Sequence, residues 1–233
     1  MANILMVVSA ADSLTMRDGS KHPTGYWAEE LVVSHQTLLD AGHTVHLATP
    51  GGAKPTVDEV SLTAESAGGE DRAAGFRSYL AGIDAELSAP LVLADIGISG
   101  YDAIVMPGGH GPMSDLYQDA DLGTLLVAAD TAGKVIAPFC HGPAGLLSAT
   151  NDAGEFAFAG RRLTVFTNEE ELNGGTGPNT PWFVEDELKG KGAVIENAAA
   201  WSSHVVRDGN LISGQNPQSS EDVAKEVLKA LTE

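Results

Sequence analysis

Short apolar runs alternate with longer segments of helical periodicity along this chain. Residues 3–8 (NILMVV) contain a continuous apolar run at residues 4–8, which is typical of a strand buried on both faces of a sheet. Residues 28–41 carry apolar side chains at helical spacing and are followed by Gly42, a common helix stop. A second strand is predicted at residues 44–48, ended by a proline–glycine–glycine turn at residues 50–52. This order predicts βαβ units, which build a mostly parallel sheet.

The alternation resumes after a polar stretch at residues 53–100, where only one helix is predicted, near residues 73–85. The pattern predicts further strands at residues 102–106, 134–139, 162–166 and 193–196, further helices at residues 122–132, 141–149, 181–188 and 220–231, and a hairpin around Asp208, Gly209 and Asn210. Helices that connect parallel strands cover both faces, so we expect an α/β three-layer sandwich. No repeat or linker interrupts the pattern, and one domain over residues 1–233 is expected.

Charge and cysteine content narrow the classes of function. The 233 residues include 13 Lys and Arg against 32 Asp and Glu, a net charge of −19, which repels phosphates. We therefore expect neither nucleic acid nor an anionic membrane as a partner. No apolar run has the length of a membrane span, and the N-terminal run lacks the basic flank of a signal peptide. Because Cys140 is the single cysteine, no internal disulfide can form, and a reducing, cytoplasmic location is expected.

Cys140 stands where the predicted strand at residues 134–139 meets a predicted helix rich in small residues. Ligand sites of open α/β sheets lie at this edge, and a sharp turn pushes its apex side chain outward, as in a nucleophile elbow. Unpaired N–H groups at a helix start favour a thiolate, so we expect a lowered pKa of the thiol. The N–H of His141 is a candidate oxyanion donor. The alternative is a buried structural cysteine, a common environment for free thiols.

A glycine-rich loop, residues 107–111 (PGGHG), also follows a predicted strand. The carboxyl ends of parallel strands meet at one sheet edge, so this loop is expected beside Cys140. Gly108 and Gly109 permit a turn with exposed N–H groups, which suits the binding of substrate or of an oxyanion. A plain turn is the alternative.

Four segments together resemble the DJ-1/ThiJ/PfpI superfamily. They are residues 137–142 (APFCHG), residues 106–111 (MPGGHG), residues 213–219 (SGQNPQS) and residues 24–30 (TGYWAEE). The last of these is similar to the Hsp31-like branch, and the likeness runs over nearly the whole chain. The resemblance implies a flavodoxin-like α/β sandwich, usually a homodimer, with a reactive cysteine, an adjacent histidine and an acidic partner. Cys140 and His141 match the cysteine and the histidine.

The resemblance also implies a glutamate from the N-terminal region that hydrogen-bonds the cysteine. By its spacing from residues 24 and 25, Glu30 is the expected residue, and Glu29 is the less favoured choice. Adjacent helix positions face directions about 100° apart, so only one of the two can point inward. Trp27, together with the preceding loop, is expected to narrow the site and to contact the substrate.

A further acidic member is implied after the strand that follows the elbow. Glu171 is favoured there, then Glu170, with Glu169 also a candidate. The alternative is that all three only line the start of a solvated helix, where the helix dipole favours acidic side chains.

Members of the Hsp31-like branch are described as glutathione-independent glyoxalases, which convert methylglyoxal to lactate, and as holding chaperones. The resemblance therefore implies a small dicarbonyl substrate, a Cys140 thiolate that forms a hemithioacetal, and no cofactor. The seven histidines show no metal-binding spacing, so no metal is expected. A PfpI-type cysteine peptidase or amidase and a chaperone or redox-stress protein are the alternatives. A glutamine amidotransferase is disfavoured, because His204 is followed by two valines rather than forming a His-x-Glu element.

Overall fold

A seven-stranded sheet forms the centre of the computed structural model, which describes residues 1–233. In spatial order the strands are β10 (Val205–Asp208), β11 (Leu211–Gly214), β7 (Val135–Pro138), β6 (Ala103–Met106), β1 (Asn3–Val7), β4 (Thr44–Thr49) and β5 (Leu91–Val92). Neighbouring strands are parallel except β10 and β11, which form the hairpin that the sequence predicts. The mostly parallel central sheet is therefore confirmed.

Helices cover both faces of this sheet. They are α1 (Ala28–Asp40), α2 (Ala64–Ala67), α3 (Glu70–Gly82), α4 (Asp84–Ser88), α5 (Ala120–Thr131), α6 (Asn168–Gly174), α7 (Val184–Gly190) and α8 (Ser220–Ala230). Ile4 and Met6 pack in one core with α1, α3 and α8, whereas Leu5 and Val7 pack in the other with α5 and α7. The continuous apolar run of β1 is explained, because alternate side chains enter opposite cores. The predicted flavodoxin-like three-layer sandwich is thus confirmed.

None of these helices is a candidate membrane span. None of them combines the length and the apolar character that a transmembrane span requires.

Several elements differ from the sequence prediction. The strand predicted at residues 162–166 is only β8 (Arg162–Leu163), which pairs with β9 (Val194–Ile195) outside the main sheet. It ends early because the N–H of Thr164 donates to the side chain of Ser213 and the N–H of Phe166 donates to the Cys140 carbonyl. The helix predicted near residues 73–85 is α3, which begins earlier and ends before Ile83. A hairpin of β2 (Ser13–Thr15) and β3 (Lys21–Pro23) occupies the segment described from sequence as a loop.

The helix predicted at residues 141–149 is a 3₁₀ segment, Gly142–Ser148. It packs against the end of β6, where the Met106 carbonyl lies so close to Gly142 that a side chain has no room. Met106 of β6 and Pro138 of β7 are paired in register. The loop after β6 and the turn after β7 therefore leave the sheet side by side.

Two glycines within helices are expected to respond in opposite ways to substitution by alanine. A Cβ on Gly123 in α5 would lie 2.2 Å from the Ser148 carbonyl oxygen, whereas a Cβ on Gly75 in α3 meets no atom within 4 Å. We expect Gly75→Ala to raise the free energy of unfolding by roughly 0.5–1 kcal/mol, because alanine has the higher helix propensity. We expect Gly123→Ala to lower it by about 1–3 kcal/mol through overpacking. Denaturant titration of both variants checks this, and a change of the same sign in both would contradict it.

Candidate active site

Cys140 lies at the apex of the turn that follows β7. Its φ of +56° is in the left-handed region, which a residue with a side chain keeps only where the surroundings hold it. The Cys140 N–H donates to the Gly214 carbonyl at 2.9 Å, and the Cys140 carbonyl accepts from the Phe166 N–H at 3.0 Å. Neighbouring segments thus fix a strained backbone, which is the geometry of a nucleophile elbow.

The loop after β6 contacts this elbow backbone to backbone. A Cβ on Gly108 would lie 2.6 Å from the His141 nitrogen, and a Cβ on Gly142 would lie 2.2 Å from the Met106 carbonyl oxygen. Gly109 has a φ of +84°, so a side chain there would also strain the backbone. Side chains are excluded from this contact, and the glycine loop lies beside the elbow as the sequence predicts.

Gly108 and Gly109 of the loop contact different groups. The Gly108 N–H donates to Glu30, and Gly108 does not line the cavity next to Cys140. Gly109 does line that cavity, and its N–H is directed to the Cys140 sulfur. The N–H of His141 has no acceptor within the fold. Gly109 and His141 are therefore candidate backbone donors to an oxyanion.

Glu30, in the first turn of α1, is completely buried beside the Cys140 sulfur. Its Oε2 accepts from the Gly108 N–H at 2.5 Å, whereas its Oε1 has no nitrogen or oxygen partner. Burial raises the pKa of Glu30 to about 8, although Cys140 and the Gly108 N–H act in the opposite direction. Glu29 pairs instead with Arg72 at 2.6 Å. The structure brings Glu30, not Glu29, to the cysteine.

Burial and then the neighbouring Glu30 raise the pKa of the Cys140 thiol well above its usual value, and the Gly109 N–H opposes them. The lowered thiol pKa expected from the sequence is therefore wrong for this state. The segment after Cys140 is a short 3₁₀ turn rather than a helix with a strong dipole, and the sulfur is shielded from water. Two buried acids in contact resist a second negative charge, so the pair of Glu30 and Cys140 carries at most one.

His141 connects the sulfur to Glu171. Its Nδ1 lies 3.3 Å from the Cys140 Sγ, and its Nε2 lies 2.6 Å from the Glu171 Oε2. Burial, followed by the charge of His110, lowers the pKa of His141, so the ring is a neutral base. A neutral ring that donates its Nε2 proton to a carboxylate leaves Nδ1 unprotonated. Nδ1 can therefore accept the proton of the thiol.

Glu171, in α6, is a buried carboxylate with donors on both oxygens. Burial opposes its ionisation, but hydrogen bonds from His110 and His141 hold the pKa of Glu171 far below its usual range. His110 Nε2 donates to Oε1 at 3.0 Å, and the N–H of Thr176 and the hydroxyl of Thr180 donate to the same oxygen at 2.6 and 3.2 Å. Among the three candidate glutamates, Glu171 is the one that the structure places against His141.

Glu170 has a different set of partners. It forms a capping box with Thr167 at the start of α6, and its Oε1 accepts from the Trp201 N–H and from the side-chain amides of Gln215 and Asn216. Glu169 is exposed. The alternative that all three glutamates line a solvated helix start is thus wrong for Glu170 and Glu171, which are both buried.

A small cavity of about 40 Å³ reaches Cys140. Its walls include the rings of Trp27, Phe166 and Trp201, together with His110 and His141. The predicted contact of Trp27 with this space is present, and the Trp27 Nε1 is buried without a partner. Wider grooves, one of them about 830 Å³, lie elsewhere on the surface, away from Cys140.

Sequence reasoning missed several residues of this site. His110 appears in the glycine-loop motif, and that position was the one available signal for its place in the site. Thr176 and Thr180 contact Glu171 from a loop with no recognisable pattern. Trp201 follows no motif either, yet it has a φ of +63° and lies edge-on to Phe166.

Comparisons with known proteins agree with this geometry. A sequence model of the DJ-1/PfpI family matches residues 24–230. Over 244 residues the chain is 30% identical to the protein/nucleic acid deglycase HchA of Pseudomonas aeruginosa (strain UCBPP-PA14), which covers 99% of this chain and 81% of that relative. It is 26% identical over 237 residues to glyoxalase 3 of Candida albicans, with 99% and 98% covered. The crystal structure of glyoxalase III from Candida albicans matches with a TM-score of 0.81 at 25% identity, covering 98% of this chain and 97% of that one.

The names of these relatives support the predicted likeness to the Hsp31-like, glyoxalase III-like branch. The family match spans the first turn of α1, the glycine loop, the elbow and α8. From the elbow, the sheet order and this match together, we conclude that the chain belongs to the DJ-1/PfpI family.

Proposed function

We propose that this protein is a glutathione-independent glyoxalase that converts methylglyoxal to lactate with Cys140 as its nucleophile. The observation that carries the proposal is the pair of proton carriers beside the sulfur, Glu30 and the unprotonated Nδ1 of His141, at one small cavity. Relatives named glyoxalase 3 and deglycase support the choice of a dicarbonyl compound as the substrate.

The first step is addition of the sulfur to the aldehyde carbon. The thiol proton passes to His141 Nδ1, 3.3 Å away, as the C–S bond forms and the carbonyl π electrons move to oxygen. The N–H groups of Gly109 and His141 are the donors for the oxygen that becomes negative. That oxygen then takes the proton from Nδ1, which leaves a neutral hemithioacetal and a neutral imidazole.

The second step moves hydrogen from the former aldehyde carbon to the former ketone carbon. The Glu30 carboxylate removes the proton from the first carbon, and the electron pair forms the double bond of an enediolate with its negative charge on the former ketone oxygen. The hydroxyl on the first carbon then passes its proton through His141 Nδ1 to that oxygen, which leaves the negative charge on the oxygen of the first carbon. Return of the proton from Glu30 to the second carbon gives a 2-hydroxy thioester. A pKa of about 8 suits a group that must take and return a proton near neutral pH, and its Oε1 is free to do so.

Hydrolysis of the thioester completes the reaction. Water adds to the thioester carbon, the C–S bond breaks, and the sulfur recovers its proton. His141, held by Glu171 at 2.6 Å, is the base next to that carbon. The sum is methylglyoxal plus water to lactate: one carbon is oxidised, its neighbour is reduced, and no external oxidant or cofactor takes part.

The size of the cavity favours this substrate class over the alternatives. A volume of about 40 Å³ has room for a few atoms beside Cys140 but not for an extended peptide, which argues against a peptidase. The same limit favours a free dicarbonyl over an adduct on a protein side chain, the kind of substrate that the name deglycase indicates for the relative HchA.

Lactate production from methylglyoxal without glutathione tests the proposal. We expect no turnover by Cys140→Ala and a loss of kcat by about 10²–10⁴-fold in Glu30→Gln, because the proton carrier is removed. Glu29→Gln is the matched control, since Glu29 faces Arg72, and it should keep wild-type activity. Lactate production by Cys140→Ala equal to that of wild type would contradict the proposal.

Trp201 should restrict the size of the substrate. Its ring lines the cavity and packs on Phe166, so Trp201→Ala opens the space above Cys140. We expect the ratio of kcat/KM for phenylglyoxal to that for methylglyoxal to rise by roughly tenfold in this variant. Trp182→Ala, whose ring packs on Tyr117 away from the cavity, is the control. An unchanged ratio in Trp201→Ala would show that another group limits substrate size.

Because Glu30 is buried, the free energy of unfolding should fall as the pH rises and this group ionises in the unfolded chain. Its pKa is raised from 4.5 to about 8, so the folded state favours the protonated acid. This contribution to stability is fully present below the unfolded pKa and is lost as the pH rises through the folded pKa. Relative to wild type, Glu30→Gln should gain about 1.4 kcal/mol of unfolding free energy per pH unit across that window. Denaturant titrations at several pH values measure the difference, and a flat difference would contradict the raised pKa.

A further inference from the structure

Three metal-ligating side chains converge one residue away from the nucleophile. His110 Nε2 lies 3.0 and 3.2 Å from the two oxygens of Glu171, and His141 Nε2 lies 2.6 Å from one of them. One ligand atom from each residue lies within 4.8 Å of the others, and all three side chains are buried. The ring centroids of the two histidines are 4.3 Å apart. The proposed reaction uses His141 and Glu171 but gives His110 no chemical task.

The donor set is one that transition metals favour. Two imidazole nitrogens and one carboxylate oxygen are a recurring three-ligand set for Zn²⁺, with a fourth position open to water. The remaining capacity of Glu171 is used by the Thr176 N–H and by the hydroxyls of Thr176 and Thr180, which hold the carboxylate in place. Such outer hydrogen bonds orient a ligand before the metal arrives.

We propose that His110, His141 and Glu171 form a binding site for one divalent transition-metal ion, with Zn²⁺ the best match. The ion would replace the two Nε2–H contacts to the carboxylate. The nitrogen and oxygen atoms now at 2.6–3.0 Å need to separate only slightly to bind an ion at about 2.0–2.2 Å from each. The Cys140 sulfur lies at the opposite nitrogen of the His141 ring and is not a ligand.

Metal binding changes the tautomer of His141. A neutral imidazole carries one proton, so coordination through Nε2 moves that proton to Nδ1. Nδ1 then donates to the Cys140 sulfur, 3.3 Å away, instead of accepting its proton. The site thereby becomes an inhibitory switch: the metal leaves the cysteine in place but removes its base. This consequence rests on the proposed function, whereas the binding itself does not.

Binding is measured first, on full-length protein freed of metal with a chelator. Zn²⁺ competition against a chromophoric chelator should give one site per chain in wild type and in Cys140→Ala. His110→Asn should lower the affinity by at least about 100-fold, more than the loss of a residue that only hydrogen-bonds a ligand. His22→Asn should keep wild-type affinity. His22 and Asp58 form a second group of potential ligands with His110, so a loss of affinity in His22→Asn would place the ion there and overturn the site.

A second variant and a spectrum guard against misfolding of His110→Asn. Thr180→Val keeps all three ligands but removes one hydrogen bond to Glu171, and it should weaken binding by roughly tenfold. Co²⁺ bound to wild type should show ligand-field absorption without a sulfur-to-cobalt charge-transfer band. Absence of stoichiometric binding, binding unchanged in both His110→Asn and Thr180→Val, or a charge-transfer band lost in Cys140→Ala would each overturn the site.

The switch is tested separately on lactate production. Stoichiometric Zn²⁺ should abolish turnover by wild type, chelator should restore it, and Thr180→Val should require roughly tenfold more Zn²⁺. Full turnover by the Zn²⁺-loaded enzyme would overturn the tautomer switch while leaving the binding site intact. If the metal-free wild type makes no lactate, the proposed glyoxalase fails, and the binding titrations still decide the site.

Discussion

The site depends on a contact between two stretches of main chain. The loop after β6 and the turn after β7 approach so closely that Gly108 and Gly142 have no room for a side chain. Because of this contact, the Gly108 N–H donates to Glu30, and Cys140 is held at a positive φ beside the same carboxyl group. Side chains from distant parts of the sequence meet because two parallel strands end at the same level of the sheet.

A carboxylate then decides what the histidine can do. Glu171 receives the Nε2 proton of His141, which leaves the other ring nitrogen to face sulfur. Its own charge is maintained by the two histidines and by donors from the loop after α6, so this orientation persists in a buried environment. Glu170, one residue earlier, is anchored to Trp201 and Asn216 and shapes the cavity rather than the proton path.

Sequence reasoning reached the fold and most of the polar residues of the site. The apolar run of β1, the glycine loop and the strand leading to Cys140 are local patterns, and they predict the sheet edge correctly. It could not find His110 beside Glu171, because that contact joins residues 61 positions apart through a 3₁₀ turn and a loop.

Sequence reasoning also misjudged the thiol pKa. A helix start suggests an activating dipole, but burial and the neighbouring Glu30, neither visible in a linear pattern, have the opposite effect. The spacing of the histidines along the chain likewise forms no motif, although the fold brings the rings of His110 and His141 together.

The buried acidic side chains around Cys140 also make the cavity unfavourable for anionic ligands. Glu30, Glu170 and Glu171 all lie within the shell that surrounds the sulfur and His141, and the chain as a whole carries a net charge of −19. A ligand with a carboxylate of its own would have to enter a poorly hydrated space against these charges. Keto acids share a reactive carbonyl with neutral dicarbonyls, and these acidic groups disfavour their entry because they carry a carboxylate of their own.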